Sequence, residues 1–386
     1  MDSLILSCGT GGGHDAAARA LVEAMELRGH RAVMLNPYTL QSRELAGRID
    51  RLYIGSVQKA PSFFGAVYAA GQLYRNLPFR SPVYYVNLLM RDILGEYLSR
   101  NHFDVIITTH LFPAEIITGM KNSGSVLPGT IYVATDYVCL PFTEETECDA
   151  YVIPTEELTE HFVLCGLPEE KIYPLGIPVS GAFSARMSRD EAREALRLEQ
   201  DRKYVLVSGG SMGGGQLRNA VKALTGAVSQ RSGTELIIIC GSNARLYEEL
   251  SSAGLPHTSV VGFTREMPAY MRAADLFVTK PGGLSSTEAA VCRVPMVHTA
   301  AIPGCETHNA RYFSSCGMSL SCPASRGALE DALGLLDSFP ARAAMLRSQH
   351  RIIRPDAAAQ ICTLAEDMAD IAGEDGPARL RRASAS

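Results

Sequence analysis

The same turn is written twice into this chain. The apolar run Leu4–Cys8 enters Gly9-Thr10-Gly11-Gly12-Gly13-His14, and half a chain later Tyr204–Ser208 enters Gly209-Gly210-Ser211-Met212-Gly213-Gly214-Gly215. Each loop leads into a helical stretch. The first is predicted over Asp15–Arg28, with Ala18, Leu21, Val22 and Met25 on one face and Gly29 as its cap; the second covers Gln216–Gln230. Glycine lets a backbone turn tightly or approach a ligand closely. The helix that follows offers unpaired N–H groups and a positive dipole end to an anion. In open α/β sheets ligands bind at the carboxyl ends of strands, where both loops fall.

The rhythm around each loop is strand, then helix. Ala32–Leu35, Val105–Thr108, Gly129–Ala134 and Ala150–Ile153 read as strands of the first half, and Glu235–Cys240, Thr258–Val261, Leu276–Thr279 and Pro295–His298 of the second. Such alternation predicts doubly wound parallel sheets, and 386 residues exceed one ordinary core. The expected organisation is an N-terminal domain over 1–178, a C-terminal domain over 200–350 and a linker near 178–200. A late helix over 351–372, interrupted near Pro355, is expected to pack back on the first domain, and 373–386 reads as a disordered polar tail. Residues 47–98 break the rhythm. They interleave aromatics such as Phe63, Phe64, Tyr84 and Tyr85 with Arg51, Lys59, Arg75, Arg80 and Arg91, and read as helices inserted into the sheet topology. Such a segment suits an anionic membrane surface, and equally an internal packing unit with a solvated face.

Several function classes fall away. Gly9 and Gly11 fit a dinucleotide fingerprint, but His14 stands where the third glycine belongs, and the second strand ends in Asn36-Pro37 with no acid. Neither loop carries the G-K-[ST] of a P-loop. A net charge of −5 gives no support to bulk nucleic-acid binding. The ten cysteines are scattered, with no C-x-x-C pair and no zinc spacing, as in a reducing, cytosolic compartment. Met1–Ser7 lacks the marks of a signal peptide, and no window is long and apolar enough for a membrane span, so membrane contact is expected to be peripheral.

The corner Lys280-Pro281-Gly282-Gly283-Leu284-Ser285-Ser286-Thr287-Glu288 follows the strand Leu276–Thr279 and reads as a diphosphate site, with an acid one turn into the helix for a ribose. Val261-Gly262-Phe263 precedes it, with Met267 and Met271 on the next helix, and Pro303-Gly304-Cys305-Glu306-Thr307-His308-Asn309 follows. In this order, with the G-G-G-H loop and Gly176-Ile177-Pro178, these motifs resemble the diacylglycerol glycosyltransferases over nearly the whole chain. Those are the monogalactosyldiacylglycerol synthases and processive diacylglycerol glucosyltransferases, with MurG a more distant relative.

The resemblance implies a GT-B fold, two Rossmann-like domains facing across a cleft. It implies an inverting transfer of a hexose from a UDP-sugar to diacylglycerol or a related lipid at the cytoplasmic membrane face. The diphosphate is then expected between Ser211 and Gly282, Gly283, Ser286 and Thr287; Lys280, just before Pro281, either neutralises its charge or only caps the strand. Uracil falls near Gly262 and Phe263, the ribose on Glu288, and the sugar hydroxyls on Glu306 and Asn309. Met267 lines the base pocket or, at helical spacing with Met271, simply fills core. His14 is the expected general base, since an unperturbed imidazole titrates near neutrality. Asp136, in Thr135-Asp136, orients His14 or the acceptor, or else caps a helix. Gly12, Gly13 and His110 fall on the acceptor side. No Asp-x-Asp occurs, so no required metal and no cofactor is expected. The chain departs from its relatives after Asp136, where Cys139-Leu140-Pro141-Phe142 replaces a His and a Trp, and it has no Trp at all. Sugar-nucleotide 2-epimerases share the fold, and transfer to another lipid or a non-catalytic UDP-sugar-binding module are the other readings.

Overall fold

The computed structural model describes residues 1–9, 12–44, 46–48, 71, 74–75, 79–210, 217–299, 301–322 and 326–373. Strands β1 (Asp2–Leu6), β2 (Arg31–Leu35), β3 (Val105–Thr108), β4 (Gly129–Val133), β5 (Ala150–Val152) and β6 (Ile172–Tyr173) form one sheet, ordered β2-β1-β3-β4-β5-β6. Strands β7 (Lys203–Ser208), β8 (Thr234–Ile239), β9 (Thr258–Val261), β10 (Leu276–Thr279), β11 (Met296–His298) and β12 (Leu320–Ser321) form the second, ordered β12-β11-β10-β7-β8-β9. Every pairing is parallel, for example Ile5↔Ile107 and Val207↔Val278.

Parallel strands covered on both faces need apolar residues on both. Leu4 and Leu6 face a core with Ile106, Ile116 and Leu94, while Ile5 faces one with Ala18, Leu21, Ile107 and Ile361. A third core crosses between the domains and joins Tyr132, Ala134 and Tyr137 to Phe277, Met296 and Phe313. In each sheet the chain starts in the middle and builds outward both ways. The switch points therefore lie between β1 and β3 and between β7 and β10. The crevice at such a point is where open α/β sheets bind ligands. His14 and His110 follow β1 and β3, while Gly210 and the Lys280 corner follow β7 and β10.

Local structure departs from expectation in places. The first helix runs Gly12–Leu27, so the last glycines of the loop form its first turn and His14 lies on the helix rather than before it. The two-residue strands β6 and β12 are too short to leave a periodic signal. The region 178–200 holds the helices Gly181–Ser184 and Arg189–Ala195, the latter closed by a Ser188–Glu191 capping box. The late helix is two: Phe339–Ile352 and Ala357–Gly373. The second packs on the first sheet, where Glu366 accepts from Arg28 and His30 at 2.7 Å each. Gly176 has φ +102° and a side chain there would meet Ala357 Cβ at 2.9 Å, so that crossing needs a glycine. Of the 47–98 segment, the described part forms helices Pro82–Leu88 and Arg91–Arg100. The residues from 374 onward lie outside the described residues.

The connecting segment is fixed to the second sheet by one buried guanidinium. Arg193 donates to Ala273 O at 3.1 Å, to Gln200 O at 2.7 Å and to Asp275 Oδ2 at 2.8 Å. Asp275 also accepts from Tyr204 N and Arg189, both at 2.8 Å. Removing one member leaves the other as an uncompensated buried charge. Asp275→Ala is therefore expected to cost about 3–5 kcal/mol of stability, read as a drop in denaturant midpoint.

Candidate active site

His14 lies in the first turn of its helix, and its Nδ1 is 2.8 Å from Thr109 O. A carbonyl only accepts, so Nδ1 carries the proton and Nε2 holds the lone pair. Thr135 Oγ1 lies 2.9 Å from the same Nδ1, and Thr109 Oγ1 returns a 3.0 Å bond to His14 O. The ring is thus locked in one tautomer by two strand ends. His110 packs edge-on against it, ring centroids 4.5 Å apart. His110 is buried and accepts from Phe112 N at 3.1 Å, capping the helix Leu111–Asn122. Burial, and secondarily the nearby His14, hold its pKa well below the usual histidine value. It is a neutral neighbour rather than a second base.

The helix Gly283–Val291 is N-capped by Gly282, which has no side chain to engage the first-turn N–H groups. That is the arrangement an anion needs. The corner also meets the other domain directly. A methyl group at Gly283 would lie 2.1 Å from Thr135 O, and one at Gly13 3.8 Å from Leu284 Cβ. Thr287 donates to Gly283 O at 2.7 Å, so Tyr137 OH is the donor in its 2.8 Å bond to Thr287 Oγ1. Asn309 donates from Nδ2 to Asp136 Oδ1 at 2.7 Å and to Pro281 O at 3.1 Å, and its Oδ1 accepts from Tyr137 N at 2.8 Å. One amide proton of Asn309 thus crosses the domain seam and the other ties it to the corner of its own domain, while its Oδ1 keeps a second lone pair to which a sugar hydroxyl can donate.

Lys280 Nζ and Glu306 Oε1 form a 2.5 Å ion pair, and Glu306 Oε2 accepts from Ile302 N at 2.9 Å. Burial opposes the Lys280 charge, but Glu306 more than restores it and the pKa is raised. The Lys280 stem lies against Gly210, which has φ +80° and where a side chain would meet Cε at 2.9 Å. The loop from 211 to 216, Ser211 included, lies outside the described residues. Burial drives the Asp136 pKa up, against its bond from Asn309 and the nearby His14. Burial alone raises Glu288 to about 8.

The remaining candidates lie further along the second sheet. Gly262 packs beside the Tyr247 ring, Phe263 is 70% exposed and Met267 is half-buried against the interdomain core, while Met271 is fully buried. Phe263 thus presents an open aromatic face. Gly12 opens the His14 helix. Sequence reasoning missed His298. It is fully buried, with Nε2 2.9 Å from Ser286 Oγ and Nδ1 3.1 Å from Ser319 Oγ, and burial lowers its pKa to about 3. A neutral ring so held fixes the Ser286 hydroxyl. Its only signal was a histidine ending an apolar strand.

Two parallel α/β domains joined at their switch points define the GT-B fold. Solved structures agree. Acinetobacter baumannii MurG aligns with TM-score 0.63 at 15% identity, covering 95% of this chain and 99% of that one. The UDP-GlcNAc 2-epimerase from Neisseria meningitidis aligns with TM-score 0.58 at 10% identity, covering 94% and 99%. The family model for monogalactosyldiacylglycerol (MGDG) synthase matches residues 14–179, and that for the glycosyltransferase family 28 C-terminal domain matches 204–345. The processive diacylglycerol beta-glucosyltransferase of Bacillus pumilus is 26% identical over 340 residues, 86% of each chain. That of Bacillus cytotoxicus is 25% identical over 362 residues, 93% of this chain and 91% of that one. The chain thus matches an MGDG synthase domain over its first half and a glycosyltransferase family 28 C-terminal domain over its second, the make-up of a glycosyltransferase.

The seam makes a direct prediction. Gly283→Ala adds a methyl group where the Thr135 carbonyl already stands, while alanine suits the helix itself. The variant is expected to have a lower thermal midpoint, through loosened seam contacts, and to scatter X-rays as a more open particle. An unchanged scattering profile would contradict the close contact.

Proposed function

We propose that the protein is an inverting glycosyltransferase that moves a hexose from a UDP-sugar to the hydroxyl of diacylglycerol, or of a glycosyl-diacylglycerol, giving a β-glycolipid. The observation that carries the reading is the His14 tautomer. The 2.8 Å contact of Nδ1 with Thr109 O leaves Nε2 as a proton acceptor beside the seam where the anion-binding corner meets the other domain. The acceptor oxygen attacks the anomeric carbon in line as its proton passes to Nε2. The bond from that carbon to the diphosphate breaks, and UDP leaves with the electron pair. Thr109 O then steadies the imidazolium through Nδ1–H, as an oriented acceptor does in other acid–base sites. Lys280 and the first-turn N–H groups of the Gly283–Val291 helix supply fixed positive charge to the departing diphosphate, so the reading asks for no metal ligand from the protein.

A lipid acceptor is supported by the MGDG synthase match and the names of the Bacillus relatives. The described part of the inserted segment adds Phe79, Tyr85, Val86 and Leu89, all more than half exposed, beside Arg80 and Arg91. Apolar tips among arginines suit the interface of an anionic membrane, in this reading its cytoplasmic face. No described helix is long and apolar enough to cross a membrane. Epimerisation is less well served. It calls for carboxylates free to work at the sugar carbon, whereas Asp136 is engaged by Asn309 and Glu306 by Lys280.

The test supplies radiolabelled UDP-glucose, UDP-galactose or UDP-GlcNAc with vesicles containing diacylglycerol and follows label into the organic phase. Transfer from at least one donor is expected, and no transfer from any would end the reading. His14→Ala should lower turnover by about 10²–10⁴-fold with UDP affinity unchanged.

Glu288 adds a pH dependence. Ribose hydroxyls donate to a carboxylate, while in the free protein this carboxyl stays protonated up to about pH 8. Binding below that value must release its proton, so UDP affinity should climb with pH and level off above it. Calorimetry across that range should show the climb in the native protein and a flat profile in Glu288→Gln.

A further inference from the structure

A cluster of nucleophiles outside the reaction centre sits just beyond the Thr135–Tyr137 segment. Arg75 reaches into it with every arm of its guanidinium. Nε donates to Glu144 Oε1 at 2.9 Å, Nη1 to Cys165 Sγ at 2.8 Å, and Nη2 to Cys139 Sγ at 3.9 Å and Leu140 O at 3.2 Å. His161 Nε2 stands 4.0 Å from Cys165 Sγ and 3.3 Å from Cys139 N. The Cys139 thiol itself donates to Leu140 O at 3.8 Å, beside the same guanidinium. Two cysteines that are 26 residues apart in sequence (165 − 139) thus meet under one cation and one imidazole.

We propose that Cys139 and Cys165 form a redox-modification site for small hydroperoxides, with Cys165 as the attacking thiolate and Cys139 as the resolving thiol. Thiolate is the reactive form of cysteine, and cations beside a sulfur favour it. The neighbouring Cys139 thiol, with His161 and Arg75, outweighs burial and lowers the Cys165 pKa; the same pairing and burial raise that of Cys139. Glu144, the one anion in the group, is paired with Arg75. A cavity of about 270 Å³ bounded by Arg75, Arg80 and the carboxylates of Glu144, Glu145 and Glu147 reaches the guanidinium that touches both sulfurs.

In the first step the Cys165 sulfur attacks the terminal oxygen of the hydroperoxide. The O–O bond breaks, and the alcohol or water leaves after taking a proton from solvent. In the second, Cys139 attacks the resulting sulfenic acid, its proton joins the departing hydroxide as water, and a disulfide remains. Two thiols are oxidised and one peroxide is reduced. The bond pulls Cys139 toward Cys165 and removes two of the four partners of Arg75. Cys139 lies three residues after Asp136, whose bond to Asn309 helps hold the domains together. Oxidation is therefore expected to disturb the seam and lower turnover. That last effect rests on the catalytic reading above, whereas the thiol chemistry does not.

The experiment treats the full chain with hydrogen peroxide and maps its peptides without reduction. A Cys139–Cys165 linked pair that dithiothreitol reverses is expected, with a parallel, reversible loss of glycosyl transfer that Cys165→Ser does not show. In Cys139→Ser the sulfenic acid should persist on Cys165 and be captured by dimedone. Iodoacetamide labelling of Cys165, followed against pH, should fall off about one unit higher in Arg75→Gln, so that below both midpoints the variant labels about tenfold more slowly. Absence of both the linked pair and the dimedone adduct, or equal labelling in Arg75→Gln, overturns the site. A linked pair with transfer unchanged overturns its coupling to the seam, and a protein inert toward every donor still yields the peptide and labelling results.

Discussion

The arrangement of this protein hangs on the side chain of Asn309. It is fully buried, and it bonds the Asp136 carboxylate and Tyr137 N of one domain and Pro281 O of its own. A buried amide left without partners costs about 1–3 kcal/mol, and a bond to a charged group contributes about 1.5–3 kcal/mol. The seam is therefore favoured as a set, with Tyr137 also donating to Thr287 and stacking on Tyr312 at 5.1 Å. Its position decides the chemistry, because the residues it brings together flank the base on one side and the anion-binding corner on the other. On the proposed reading, a donor entering that corner competes for groups that now hold the domains together. Binding and domain movement are then one equilibrium, which is how closure comes to exclude water in other transferases.

Electrostatics reinforce the same division. The acceptor side holds two histidines in edge contact, and burial keeps His110 neutral so that the pair does not carry two charges. On the donor side Glu306 sustains the charge of Lys280, and Glu288, with burial unopposed, is raised toward neutrality. His298 is the quietest member: its neutral ring lies between Ser286 and Ser319. Lys280 thus keeps its charge where a diphosphate is proposed to bind, and the imidazole proposed to accept a proton has a neutral neighbour.

What could be read from the sequence follows from the range of the interaction. A strand, a turn and a helix are adjacent in the chain, so the parallel α/β alternation and the Lys280–Glu288 corner were legible, while the GT-B plan came from the family resemblance. The tautomer of His14 was not, because it depends on a backbone carbonyl 95 residues away. Nor was the engagement of Asn309 with Asp136 and Tyr137, at separations of 173 and 172 residues, or that of Thr287 with Tyr137 at 150. The chain's departure after Asp136 was visible only as a missing His and Trp. In space Arg75, Cys139, Cys165 and His161 gather there instead, a grouping of side chains that no periodicity announces.

Gly283 shows how a correct local reading can still be incomplete. Considered in its own turn, a glycine there leaves room for a phosphate above a helix N-terminus. Considered in the folded chain, the residue is confined from the opposite side, since any side chain would strike Thr135 O and crowd Asp136 Oδ1 at 3.1 Å. Its φ does not require glycine; only the space does, because the residue is absent from the positive-φ glycines of the chain. The same lack of a side chain thus opens the corner to an anion and lets the two domains touch. A larger residue would hold the corner and the Thr135–Asp136 segment apart, so the anion site and the histidine it is proposed to work with depend on the same missing atom.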